Sequence, residues 1–399
     1  MNPELSKLHP YPFEKLAQLK SGIVPPQDRA HIPLSIGEPK HAAPAFAHQI
    51  IQDSLAGLSS YPVTRGADNL RQTIAAWLTQ RFQLPADSLA ADRHIIPVNG
   101  TREALFAIAQ AVIDRNKAEP TIVMPNPFYQ IYEGAAILAG AEPWFLNTVA
   151  ENNFIPDFDA VPEAVWQRCQ LIYICSPGNP TGAVIDTATL QALIDKAHQY
   201  DFIIASDECY SEIYFDETRP PVGLLQAAAA HGHTDYSRCL VFHSLSKRSN
   251  LPGMRSGFVA GDEKIIQAFL KYRTYHGCAM APPFQQASIA AWADEQHVQD
   301  NRALYTEKFN AVLPILSPVL EVKHPEAGFY LWPRTPIDDA EFARSLFARQ
   351  NVTVLPGSYL SRIAHGVNPG TGHVRMALVA PLAECIEAAQ RIRRHLETL

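Results

Sequence analysis

The sequence predicts an α/β protein: a large domain built on a mainly parallel sheet flanked by helices, with a smaller α+β domain beside it. Three observations lead there. From residue 94 to about residue 275, short apolar runs alternate with longer amphipathic stretches. The runs are apolar on both faces, as expected of strands covered by helices on each side. After about residue 290 the alternation stops, and a long polar helix precedes two strands and a closing helix.

Taken in order, the first 45 residues carry proline clusters over 10–26 and 33–44 and read as extended and irregular. Six runs read as buried strands: His94–Val98, Thr121–Met124, Leu171–Cys175, Phe202–Ala205, Leu240–His243 and Gly257–Ala260. Between them Glu103–Asp114, Ala188–Gln199 and Asp262–Tyr275 read as helices. The later part offers a polar helix over Ala291–Ala311, strands at Phe329–Trp332 and His373–Val379, and a helix at Ala383–Leu399. The large domain is accordingly placed at 46–289. The small one takes 1–45 and 290–399, with the proline-rich N-terminus packing against the C-terminal elements.

Composition narrows the function. Hydrophobic residues make up 47% and charged residues 18% of 399 residues, enough apolar material for a large packed core. The net charge is −7 and no basic run tracks a phosphate backbone, so nucleic acid is not an expected partner. No stretch approaches the roughly 18 uninterrupted apolar residues of a membrane span, and the start lacks the apolar core of a signal peptide. The six cysteines show no CxxC pairing, so neither a disulfide framework nor a metal site is expected, and a cytoplasmic location fits.

Ligands of open α/β sheets bind beyond the carboxyl ends of the strands. After Leu171–Cys175 comes Ser176-Pro177-Gly178-Asn179-Pro180-Thr181-Gly182, a rigid turn whose strong side-chain hydrogen bonder is Asn179. After Phe202–Ala205 come Ser206, Asp207, Glu208, Cys209 and Tyr210. After Leu240–His243 come Ser244, Leu245, Ser246 and Lys247, with Arg255 eight residues further. After His94–Val98, Asn99-Gly100-Thr101-Arg102 opens a helix. Singly, each has an ordinary explanation: an Asp beyond a strand often caps a helix, and a Lys there is usually solvated. Together they bring an acid, a lysine, an arginine, an amide and a glycine-headed helix start to one edge, which is what a phosphorylated pyridine aldehyde needs.

These motifs carry a resemblance that runs over essentially the whole chain. Ser244-Leu245-Ser246-Lys247-Arg248-Ser249-Asn250-Leu251-Pro252-Gly253-Met254-Arg255-Ser256-Gly257 resembles the lysine signature of the class I/II aminotransferases, fold-type I pyridoxal-phosphate enzymes. Asn179-Pro180-Thr181-Gly182 and Asp207-Glu208-Cys209-Tyr210 stand at the distances expected before it. The resemblance implies pyridoxal 5′-phosphate as cofactor, carried by Lys247, which also acts as general base and acid. It makes Asp207 the partner of the pyridine nitrogen, and Asn179 and Tyr210 the partners of the phenolic oxygen. Arg255, Ser244 and the amides of Gly100, Thr101 and Arg102 would hold the phosphate. Tyr129 would stack on the ring. Tyr61, in Ser60-Tyr61-Pro62-Val63-Thr64-Arg65-Gly66, would cross to the neighbouring site of a homodimer. Arg375 would grip the substrate α-carboxylate as a bidentate pair, and Gly37 would let the N-terminal segment close over substrate.

Rival readings fare worse. Ser244-Leu245-Ser246-Lys247 also satisfies the S-x-x-K pattern of penicillin-binding acyl-enzymes, but their K-T-G strand is absent. A dehydrogenase is disfavoured because no G-x-G-x-x-G follows a strand, and no Walker G-K-[ST] is present. A regulator reusing the same fold would need a helix-turn-helix module, and only 36 irregular residues precede Gly37. A C–S lyase or decarboxylase could share the cofactor set, but Arg375 favours transamination, in which both half-reactions hold an α-carboxylate. Three local stretches go further. Leu8-His9-Pro10-Tyr11-Pro12-Phe13-Glu14-Lys15-Leu16, Ser35–His41 and Tyr275–Pro283 resemble bacterial N-succinyldiaminopimelate aminotransferases, which work with 2-oxoglutarate in lysine biosynthesis. That substrate has a remote carboxylate, and Lys40, Arg65, Arg102 and Arg273 are the cations expected near the site mouth.

Overall fold

The computed structural model describes all 399 residues. Seven strands form the central sheet, in the spatial order Ile95–Val98, Gly257–Gly261, Cys239–Ser244, Ile203–Asp207, Cys169–Cys175, Thr121–Asn126 and Glu142–Asn147. Four of its six pairings are parallel. Gly257–Gly261 runs antiparallel to both of its neighbours. The reason lies in the connection: between Ser244 and Gly257 the chain forms only the single turn Leu245–Arg248 and the 3-10 turn Pro252–Met254. A parallel crossover usually carries a full helix back along the sheet, and neither turn is long enough to do so, so the chain folds straight back. Both ends of that connection, and with them Lys247 and Arg255, therefore sit on the carboxyl edge of the sheet.

All six expected strands form. The seventh, Glu142–Asn147, was not among them. It is an edge strand, half-exposed along most of its length, and Pro143 breaks its β pattern. The helices expected at 103–114, 188–199, 262–275 and 383–399 are observed as Thr101–Val112, Thr187–Tyr200, Glu263–His276 and Leu382–Leu396. The single polar helix expected over 291–311 is instead two, Pro282–Ala293 and Gln296–Leu316. At the break the Asp294 carboxylate accepts the His297 N–H at 3.0 Å, so a capping interaction restarts the helix. The N-terminal segment is also more regular than expected. Pro12–Lys20 is a helix with proline at its first position, where a missing N–H costs nothing, and Glu14 accepts the Tyr11 N–H at 3.3 Å.

Two layers of apolar residues sandwich the sheet. One packs Trp77, Trp166, Phe202 and Trp292 on one face; the other packs Leu105, Ile108, Phe128 and Phe269 on the opposite face. A third cluster joins Ile32 and Leu34 to Phe309, Leu316, Phe342, Val352 and Ile392. Ile32–Pro33 pairs in parallel with Val352–Thr353, so the N-terminal segment is stitched to the C-terminal elements. A three-stranded sheet there places Val374–Ala377 between Leu355–Pro356 and Tyr330–Leu331. No helix is long and apolar enough to cross a membrane.

Candidate active site

A cavity of about 530 Å³ opens at the carboxyl edge of the central sheet, roofed by the N-terminal segment and the Val374–Ala377 strand. Lys247, Asp207, Asn179, Tyr210, Ser244, Arg255, Thr101, Arg102, Tyr129, Gly37 and Arg375 all line it. The floor is Asp207, the last residue of its strand and buried. Its carboxylate accepts the Tyr132 hydroxyl at 2.8 Å and the Cys209 N–H at 3.3 Å. Lys247 stands in the turn after the adjacent strand and donates from Nζ to the Gly37 carbonyl oxygen.

The Thr101–Val112 helix points its N-terminus at the cavity, where free N–H groups favour an anion. Its cap, Gly100, has φ +82°, and any Cβ there would fall on the Arg255 guanidinium. Arg255 itself adopts a left-handed conformation, φ +54°, held by Nη1 donating to the Pro252 carbonyl at 2.9 Å. Its Nη2 is left facing the helix end. Opposite, Arg375 donates from Nη1 to Asn179 Oδ1 at 2.9 Å and from Nη2 to the Ser35 carbonyl at 2.7 Å. The first bond orients the Asn179 amide so that its NH₂ remains as a donor. The Arg375 Nε is buried and has no partner. Gly37 packs so closely under Tyr330 that a Cβ would overlap its hydroxyl.

Comparison with known proteins shows the family. The model of the family "Aminotransferase class I and II" matches residues 29–392. This chain belongs to the class I and II aminotransferases. A crystal structure of an aminotransferase from Neisseria meningitidis is similar at 51% identity and a TM-score of 0.94, covering 98% of this chain and 99% of that one. An LL-diaminopimelate aminotransferase of Aquifex aeolicus is 30% identical over 98% of this chain and 97% of its own. The structure of a probable N-succinyldiaminopimelate aminotransferase from Thermus thermophilus is 25% identical, with a TM-score of 0.83, and covers 96% of this chain and 100% of that one.

Aminotransferases of this family depend on pyridoxal phosphate, and the residues present fit it. The cavity offers a buried acid, an amine, an unpaired amide NH₂, and a helix end with an arginine where even a methyl group would intrude. The electrostatics are consistent with an amine in a dry site. Burial lowers the Lys247 ammonium to about 8, with Arg375 and Arg255 adding to the fall and Cys209 and Glu38 opposing it. Burial pushes the Asp207 carboxyl up, against hydrogen bonds from Cys209 and Tyr132. Burial also raises the Tyr210 phenol, whose oxygen lies 3.0 Å from the Tyr330 hydroxyl.

Not every expected residue reaches the cavity. Tyr61, expected at the site of a neighbouring copy, is fully exposed and lies outside this chain's own cavity. Lys40 is exposed and pairs with Glu38 at 2.9 Å, and Arg65 lies 3.5 Å from Asp68. Arg273 is a correction. It is buried, holds both Glu103 oxygens at 2.8 Å, and donates to the Cys278 carbonyl, so it has no donor turned towards substrate. Of the four cations only Arg102 lines the cavity, with Nε on the Tyr129 hydroxyl at 2.7 Å and Nη2 on the Tyr11 hydroxyl at 3.1 Å. The Ser244 hydroxyl turns inward to Ser246 Oγ and the Ser256 carbonyl. Tyr132, Tyr330, Tyr11 and Glu38 escaped the sequence reading. Tyr132 is the one phenol of a mostly apolar helix, and nothing in its spacing distinguishes it from core.

Proposed function

We propose that this aminotransferase moves the amino group of N-succinyl-LL-2,6-diaminopimelate to 2-oxoglutarate in lysine biosynthesis. The observation that carries the reading is that two arginines from different elements, Arg375 and Arg102, line one cavity. Each proposed partner has an α-carboxylate at the reacting carbon and at least one remote carboxylate (two on the succinylated donor), and burying any of them without a counter-charge costs several kcal/mol. Arg375, lining the cavity and oriented by its bonds to Asn179 Oδ1 and the Ser35 carbonyl, suits bidentate capture of the α-carboxylate. Arg102, carried between two phenols at the mouth, suits the remote one.

In this reading Lys247 carries the cofactor and moves the proton at the substrate α-carbon. Its lowered pKa leaves much of the amine neutral near pH 8, as a nucleophile and base must be. When bound, pyridoxal phosphate supplies an aldehyde for the amine and a ring that accepts the electron pair released at the α-carbon. Asp207 would keep the pyridine nitrogen protonated, Asn179 and Tyr210 would donate to the phenolic oxygen, and Tyr129 would stack on the ring. The Gly100–Arg102 amides and Arg255 would hold the phosphate, and the Ser244 hydroxyl would join them on turning away from Ser246 Oγ. Gly37 provides the close approach of the N-terminal segment. Tyr61, beside exposed Leu55, Leu58 and Val63, crosses to the site of a second copy in a homodimer.

The test is steady-state kinetics with 2-oxoglutarate and N-succinyl-diaminopimelate, aspartate, alanine or phenylalanine. The succinylated donor has the highest kcat/KM; a tenfold advantage for aspartate or phenylalanine, about 1.4 kcal/mol, overturns the substrate assignment. The curated relatives favour a second reading, LL-diaminopimelate itself. That donor keeps a remote ammonium, which Glu38 in the cavity lining could meet. Glu38→Gln then lowers kcat/KM for LL-diaminopimelate and leaves the succinylated donor little changed.

A further inference from the structure

On the opposite edge of the sheet from the cofactor cavity, four metal-binding side chains gather from two helices. The Thr187–Tyr200 helix follows a strand that ends at the cavity and carries the chain back, so its last turns lie at the amino edge. Asp195 and His198 stand there, three residues apart and hence on one face. The neighbouring Leu224–Ala230 helix ends in His231-Gly232-His233. Gly232, at φ +91°, reverses the chain. The backbone N–H groups of His231 and His233 donate to the helix carbonyls of Ala227 and Ala228, which fixes the main chain that carries both imidazoles.

His231 Nε2 lies 2.9 Å from Asp195 Oδ1. One donor atom each from Asp195, His231 and His233 lies within 4.8 Å of the others. Tetrahedral zinc with ligands at about 2.0–2.2 Å spaces neighbouring donors roughly 3.3–3.6 Å apart, so side-chain rotation alone closes the set. The His198 ring stacks on His233, with centroids 4.4 Å apart and planes at 18°. We propose that Asp195, His231 and His233 bind one divalent transition-metal ion, with water completing the shell. Two imidazoles and one carboxylate select zinc, nickel or copper over magnesium or calcium, which take oxygen donors. The ion ties the end of one helix to the end of the next and touches nothing in the cofactor cavity, so it acts on stability. The other group with suitable donors, Glu103, His276 and Cys278, is disqualified because both Glu103 oxygens are occupied by Arg273.

The test is calorimetric titration of untagged, EDTA-dialysed holoenzyme with Zn²⁺, together with Co²⁺ substitution to read the geometry. One saturable equivalent per chain is expected, with the visible absorption of tetrahedral Co²⁺ and a Zn²⁺-dependent rise in the unfolding midpoint. His231→Ala and Asp195→Asn each weaken binding about tenfold or more, as the loss of one of three protein ligands demands, whereas His276→Ala changes nothing. The His231→Ala/His233→Ala double variant keeps wild-type transamination, which shows that it folds, and loses the thermal response. Absence of saturable binding, or equal binding by that folded double variant, overturns the proposal.

Discussion

The Tyr132 hydroxyl donates to Asp207 Oδ2 at 2.8 Å, and the Tyr132 ring lies stacked on Tyr173 at 4.6 Å and 9°. The phenol is thus immobile, and the carboxylate it holds is buried at the floor of the cavity. Burial raises the Asp207 carboxyl, and this bond is one of the few forces lowering it. Tyr132→Phe removes a hydrogen bond to a charged group, a loss of about 1.5–3 kcal/mol. The carboxylate then protonates at higher pH, so the acid limb of the kcat profile moves up and kcat falls about tenfold or more. An unmoved acid limb would show that Tyr132 is only core.

Asp207→Asn is expected to lower kcat by orders of magnitude. The amide cannot keep the pyridine nitrogen protonated, although it can still accept the Cys209 N–H. Single-turnover measurement of the first half-reaction reads this directly. Near-wild-type turnover would reduce Asp207 to a turn-capping residue.

Lys247→Ala abolishes transamination and leaves much of the cofactor affinity intact, because Arg255 and the Gly100 helix end do not depend on the lysine. The absorption spectrum of the purified variant, with activity on the same sample, checks both halves. Any sustained turnover would refute the assignment of Lys247.

With Lys247 as the proposed carrier of the cofactor, its amine, lowered to about 8 by burial, is expected to set the pH dependence of cofactor uptake. Below that pH the group is mostly an ammonium and cannot attack the aldehyde; above it the neutral amine dominates. Reconstitution of apoenzyme followed by absorbance should accelerate as pH rises through about 8. An inflection near 10 would mean that the amine is well solvated.

Arg375→Ala is expected to damage both half-reactions with every substrate, and Arg375→Lys to restore only part of the loss, since a point charge cannot reproduce the bidentate pair. Arg102→Ala should cost the succinylated donor more than alanine, which has no remote carboxylate. Equal losses for both donors would remove Arg102 from remote-carboxylate recognition and leave Arg375 untouched.

Much of this protein was legible in its sequence because the information is local. Apolar runs alternating with amphipathic stretches dictate the strands and crossover helices, and the residues after Cys175, Ala205 and His243 must then share one edge. The helix start at Gly100 needs only a glycine before a helical pattern. The edge strand Glu142–Asn147 and the break at Asp294 were hidden because Pro143 and a capping carboxylate override the apolar period there. Other features depend on residues far apart in the chain. Arg273 looks like a free cation until Glu103, 170 positions away, is found holding it. Tyr132 gains its purpose from Asp207, 75 positions on, and Asp195 meets His231 only because two crossover helices pack side by side. Residue type and spacing determined which chemistry this chain carries. Tertiary packing decided which charges are spent on one another and which remain for substrate, because a charge's availability depends on what burial places within a few ångströms of it.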